Sequence, residues 1–129
     1  MLGLMQDWPL LCHRIIDHAA IQHGNRAVVS RSVEGPIHTT NYTEVRRRAL
    51  KLAQRLERDG VKLGDRVATL AWNTWRHVEL YYAISGIGAV CHTLNPRLAP
   101  DQICYIIRDA ADVALFFDIT FAEDRKSVV

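Results

Sequence analysis

The sequence predicts an α/β fold, a parallel sheet with flanking helices built from βαβ units and preceded by a short peripheral hairpin. Three observations carry that prediction. From Gly64 onward, β-prone apolar runs at 67–71, 89–93 and 113–117 alternate with helical patterns over 75–85 and 100–109. Strands separated by helices with short links pair in parallel, through right-handed crossovers that lay the helices on the sheet faces. Finally, 129 residues of which 49% are hydrophobic and 23% charged suffice for one packed core and lie far from the composition of disorder.

The elements follow in order. Pro9 suits a helix start, and Leu11, Ile15, Ile16 and Ala19 fall at helical spacing before the stop at Gly24-Asn25. Residues 27–29 and 37–40 flank the turn Glu34-Gly35-Pro36 and predict the hairpin. Asn41 or Thr43 can cap the next helix, with Glu44 in its first turn against the positive end of the dipole. Val45, Ala49, Leu52, Ala53 and Leu56 share one face of that helix, and Gly60 supplies a left-handed stop. Gly64-Asp65 turns into the first buried strand. Gly86 and Gly88 close the helix after it, Asn95-Pro96 breaks the chain after the second strand, and Pro100 opens a helix carrying Ile103, Ile106 and Ile107.

Charge and cysteine usage exclude several functions. With 16 basic and 14 acidic residues the formal charge is only +2, so no whole-molecule field recruits nucleic acid or an anionic membrane. Cys12, Cys91 and Cys104 are widely spaced and form no C-x-x-C pair; neither a disulfide framework nor a zinc site is expected, in keeping with a cytoplasmic location. The start of the chain lacks the basic n-region of a secretory signal, and no apolar run reaches membrane-spanning length.

Motifs that could carry chemistry are few. Gly86-x-Gly88 has Cys91 where a dinucleotide loop needs its third glycine, and it precedes a strand where the loop should follow one. No G-x-x-x-x-G-K-[ST] loop occurs, and the 7 glycines are scattered through turns. His13, His18 and His23 recur every five residues, a rotation of about 140° each around a helix, so they cannot converge on one metal. Adjacent Cys91 and His92 point to opposite faces of a strand, which reads as a buried cysteine beside a half-buried histidine. Arg46-Arg47-Arg48, with Lys51 and Arg55, reads as a solvated helix face before it reads as a phosphate contact. Trp72, Trp75, Tyr81 and Tyr82 are expected to pack a core or a subunit contact.

A family resemblance rests on the order of these segments. Thr40-Asn41-Tyr42-Thr43-Glu44-Val45 leads into the Ala49, Leu52, Ala53, Leu56 helix. Gly60-Val61-Lys62-Leu63-Gly64-Asp65-Arg66-Val67-Ala68 then links to a strand, with Asn73 just beyond. Next come Tyr81-Tyr82-Ala83, Gly86-Ile87-Gly88-Ala89-Val90, Leu94-Asn95-Pro96-Arg97-Leu98 and Leu115-Phe116-Phe117-Asp118. This succession, over about residues 10–121, resembles the N-terminal portion of AMP-forming acyl-CoA synthetases. These are adenylate-forming enzymes, and the likeness is greatest to the branch of medium- and long-chain fatty-acid CoA ligases.

The resemblance implies residues 1–121 as the N-terminal subdomain of an AMP-binding, acyl-CoA ligase fold and 122–129 as a divergent charged tail. It also implies that the full-length parent uses ATP, Mg and CoA to turn a carboxylic acid into an acyl-adenylate and then a CoA thioester. The family's phosphate loop ending in P-K-G, adenine motif, ribose-binding aspartate and catalytic lysine have no match here. No catalytic, cofactor-binding or metal residue is therefore assigned in this chain, and the isolated segment is expected to be inactive scaffold. Its expected partners are the missing remainder of the enzyme or another copy of itself, with no nucleic acid and no membrane span. A free-standing oligomerisation or protein-interaction module is the second reading, and nucleic-acid binding through Arg46 to Arg48 a third.

Overall fold

A computed structural model describes residues 3–4 and 7–122. The chain runs α1 (His13–Gln22), β1 (Ala27–Arg31), β2 (Ile37–Asn41), α2 (Tyr42–Arg58), β3 (Arg66–Leu70), α3 (Trp75–Gly86), β4 (Val90–Thr93), α4 (Pro100–Ala110) and β5 (Ala114–Phe117). A single 3-10 turn, Ile119–Phe121, follows. β1 and β2 form an antiparallel hairpin in register Val29↔Thr39, and the other strands form a parallel sheet in the order β4-β3-β5. The predicted α/β class and the hairpin are both present. The charged tail lies outside the described residues from position 123 on.

Two apolar layers cover the sheet, one on each face. Val67 of β3 joins Ala49 and Leu56 of α2 and Ala83 and Ile84 of α3 on one side. Its neighbours Ala68 and Leu70 meet Ile103 of α4 and Phe121 on the other. Successive residues of a strand alternate faces, so a run of four buried positions, Val67 to Leu70, serves both layers. Ile84 and Ile103 are fully buried, each contributing about 1.5–3 kcal/mol through the area removed from water.

Local chemistry accounts for most boundaries. The Asn41 side chain accepts a 2.9 Å hydrogen bond from the Glu44 amide and so caps α2, which resolves the choice between Asn41 and Thr43. Gly60 and Gly88 hold the positive φ that their helix ends require. Arg66 explains the Gly64-Asp65-Arg66 motif. Its guanidinium donates to the carbonyls of Ala110 (2.7 Å) and Ala111 (3.1 Å), satisfying the end of α4, where Ala111 itself is left-handed at φ 51.

Several expectations need correction. The first helix begins at His13 rather than near Pro9, because residues 9–12 form a tight turn with the Leu11 amide on the Pro9 carbonyl. Only Ile16 of its apolar set is buried, while Leu11 and Ile15 remain exposed. Gly24 adopts no positive φ; it is needed for close approach, since a Cβ there would collide with the Thr43 hydroxyl and the Ala20 carbonyl. Gly86 and Gly88 do close α3, Gly86 as its last residue and Gly88 two residues later at positive φ. Of the four aromatics, Trp75 is buried and Tyr82 packs against the α2–α3 layer, but Trp72 and Tyr81 are exposed.

Candidate functional site

Open parallel sheets bind ligands beyond the carboxyl ends of their strands, at the point where successive crossovers leave in opposite directions. With the order β4-β3-β5, the crossover through α3 runs to one side of β3 and the return through α4 to the other. The corresponding place lies between the segments that follow β3 and β5, residues 71–74 and 118–121.

The side chains there form a braced junction. Asp118, just past β5, accepts the Trp72 amide at 2.7 Å, and the Trp72 indole N–H donates to Thr120 at 2.9 Å. The Trp72 ring also lies 5.0 Å from that of Phe121. On the α3 side, His77 Nε2 sits 3.0 Å from Thr69 Oγ1. Burial pushes the His77 imidazole below its ordinary value, a shift that the charge of Asp118 partly opposes. The Cys91 thiol, half-buried rather than wholly buried, is pushed up by burial against a hydrogen bond with the same Thr69. A thiol shifted upward beside a neutral ring is a poor nucleophile, so the Cys91, Thr69 and His77 group reads as packing polarity. Thr74 Oγ1 is buried without a hydrogen-bond partner.

Phosphate is not accommodated by what surrounds this junction. The first amide of α3, Trp75 N–H, is already taken by Ser30 Oγ of the hairpin at 3.1 Å, and His38 stacks on the Trp75 ring at 3.9 Å. Gly86 and Gly88 lie at the carboxyl end of α3, where the helix dipole repels anions. Among the described residues no group of three His, Cys, Asp or Glu side chains is placed to hold a metal ion. The residues present thus do not fit ATP with Mg.

The sequence candidates are dispersed. His13 is half-buried on α1, and His18 and His23 are exposed, their rings packed edge to face at 6.0 Å. Cys91 and His92 do face opposite layers, and His92 Nδ1 lies 2.8 Å from Asp112, whose carboxylate is only 1% exposed. That contact was not foreseen, since 20 residues separate its members and only the crossover through α4 joins them. The arginine run divides three ways. Arg46 pairs with Asp17 of α1 at 2.6 Å, Arg47 with Glu44 at 2.6 Å, and Arg48 with the buried Glu79 of α3 at 2.8 Å. Spacing along α2 hid this, because two of the three carboxylates belong to other helices.

Comparison with known proteins places these features in a larger frame. Residues 16–128 match the family model described as AMP-binding enzyme. The chain is 50% identical over 121 residues to 3-methylmercaptopropionyl-CoA ligase of Ruegeria lacuscaerulensis, covering 94% of this chain and 22% of that protein. It is 47% identical to medium-chain-fatty-acid–CoA ligase of Ectopseudomonas oleovorans (94% and 22%). It is also 47% identical to long-chain-fatty-acid–CoA ligase of Thermus thermophilus (88% and 21%). Among solved structures, the anthranilate CoA ligase AuaEII with anthranoyl-AMP superposes with a TM-score of 0.83 at 22% identity, over 96% of this chain and 24% of that one. The N-terminal domain of FACL13 from Mycobacterium tuberculosis gives 0.77 at 24% identity, over 86% and 27%. At those identities the two structures speak for the fold alone. The chain therefore spans about a fifth of the length of the curated relatives it matches.

Proposed function

Because this chain belongs to the AMP-binding enzyme family, we propose that residues 1–121 are the N-terminal subdomain of an acyl-CoA ligase, with 122–129 a divergent tail. The parent enzyme activates a fatty or other carboxylic acid as an acyl-adenylate and passes it to CoA, using ATP and Mg. One observation carries this reading: the ordered match to CoA ligases at 47–50% identity across nearly the whole chain. Thiols that need no partner, at Cys12, Cys91 and Cys104, support a cytoplasmic setting.

In this proposal the segment is scaffold and contributes no catalytic, cofactor-binding or metal residue. The satisfied amide at the start of α3 and the absence of any glycine-rich loop at a helix start support that assignment. Its partner is the remaining part of the ligase. Crossover handedness supports docking on one face: a connection continuing from β4 through β5 in the same direction would lay its next helix on the α4 face. Strand alternation puts Phe117 on the same face as Leu115, which packs in the α4 layer, and Phe117 is exposed there. Calorimetry on the isolated chain should give no heat of ATP binding at millimolar nucleotide. A submicromolar ATP site would overturn the scaffold reading.

The second reading, a free-standing oligomerisation or interaction module, draws on the same face. Among the described residues β5 has no strand on its far side, and Ile119 just beyond it is exposed. Under that reading the chain acts without any remainder.

A further inference from the structure

The β1–β2 hairpin supplies no residue to either apolar layer of the sheet. A two-stranded ribbon is marginal on its own in water, so the contacts that hold it down decide whether it stays closed. Those contacts converge on the first turn of α3. Ser30 Oγ accepts the Trp75 amide at 3.1 Å, and His38, directly across the ribbon from Ser30, stacks on the Trp75 ring at 3.9 Å. In the connecting loop Glu34 accepts from Arg76 at 2.8 Å. The base of the ribbon is tied differently: the Thr43 amide donates to the Gly24 carbonyl at 3.2 Å, where the chain passes too close for a side chain on Gly24. One end of the hairpin is therefore anchored by backbone and the other is held by side chains.

Arg76 has a second carboxylate within reach. Asp118, just past β5, stands 4.0 Å from the same guanidinium nitrogen that holds Glu34. The guanidinium lies over the Trp75 ring, 4.7 Å from its centroid, and that seat does not fix which carboxylate it meets. A turn of Arg76 from Glu34 to Asp118 exchanges one ion pair for another and strands no cation, which keeps the cost of opening small. We propose that the hairpin is a hinged strap over the first turn of α3, latched by Arg76 on Glu34 and released when Arg76 turns to Asp118. Opening frees the Trp75 amide, whose hydrogen bond goes to Ser30, at the carboxyl end of β3. The inference rests on the hairpin, α3 and Asp118, and not on the ligase reading.

Amide hydrogen exchange, read by NMR on the isotope-labelled 129-residue chain, tests the strap. The paired amides of β1 and β2 should exchange together with the Trp75 amide, at least about tenfold faster than those of β3. Glu34→Gln removes the latch and should speed this common exchange about fivefold, the upper end for a solvent-exposed ion pair. Arg76→Gln removes both pairings at once and should speed it by less than Glu34→Gln does. Asp118→Asn keeps an acceptor for the Trp72 amide but takes away the second partner of Arg76, so it should slow the exchange. Should Asp118→Asn fail to fold, the comparison of Glu34→Gln with Arg76→Gln, both at exposed side chains, still decides the matter. The proposal fails if the hairpin exchanges no faster than β3, or if the Trp75 amide stays protected while the hairpin exchanges. Equal acceleration in Glu34→Gln and Arg76→Gln would overturn the change of partner, as would a folded Asp118→Asn that does not slow the hairpin.

Discussion

At the scale of single residues, the ion pair between Arg48 and Glu79 has unequal partners. Glu79 is 7% exposed and Arg48 51%. Removing the arginine strands a buried carboxylate, whereas neutralising the glutamate leaves a guanidinium that water can reach. Arg48→Ala should therefore cost about 2 kcal/mol in urea unfolding, and Glu79→Gln under about 1 kcal/mol after allowance for the solvent-screened partner. Equal losses would contradict that asymmetry. His77 sets a pH dependence with a definite sign. Its folded-state pKa lies below the ordinary 6.5 because of burial, so the unfolded chain binds the proton first. The stability that His77 confers is fully present above 6.5 and is lost as pH falls from there through the folded value. In His77→Gln the slope of stability between pH 7 and pH 5 should flatten, as read from urea midpoints at each pH. These pairs could not be read in the sequence, since Arg48 and Glu79 stand 31 residues apart on helices whose mutual rotation no periodicity specifies.

Elements were the most legible level. Apolar, β-prone runs and period-3.6 patterns located the five strands and four helices of the described residues to within a few positions, because a short apolar run between turn signals marks a strand and helical spacing marks the face that meets apolar packing. α1 is the exception that shows why. Its apolar residues satisfied a helical pattern, yet only Ile16 met a partner, so the pattern named a face without guaranteeing anything to cover it. α2 shows the opposite case, in which cap, face and stop agree with one another. Asn41→Ala should destabilise the chain by about 1 kcal/mol, whereas Asn41→Ser should lose only a few tenths. Thermal unfolding followed by circular dichroism distinguishes the two; a harmless alanine would mean that the Glu44 amide finds another acceptor.

For the whole molecule, the sequence placed the chain in its family but left its surface unreadable. Exposure of Phe117 and Val113 depends on β5 standing at the edge of the described sheet, a property of topology and not of the residues themselves. The junction at the carboxyl ends was equally hidden, since Trp72 and Asp118 approach only once β3 and β5 are paired. If the α4 face is a docking face, the isolated chain should self-associate at tens of micromolar in sedimentation velocity, and Phe117→Lys should shift it toward monomer. A monomer in both cases would remove the case for that face.

The strand order has a temporal side as well. β3 occupies the centre of the sheet, yet it leaves the ribosome before either of its neighbours. Its buried stretch Val67 to Leu70, apolar except for Thr69, must wait for residues 90–93 on one flank and 114–117 on the other. Arg66 likewise cannot find the Ala110 carbonyl until 44 further residues have been made. During that interval the nascent chain presents a β-prone segment with both edges open, the kind of segment that molecular chaperones shield and that sticks to others of its kind when they do not.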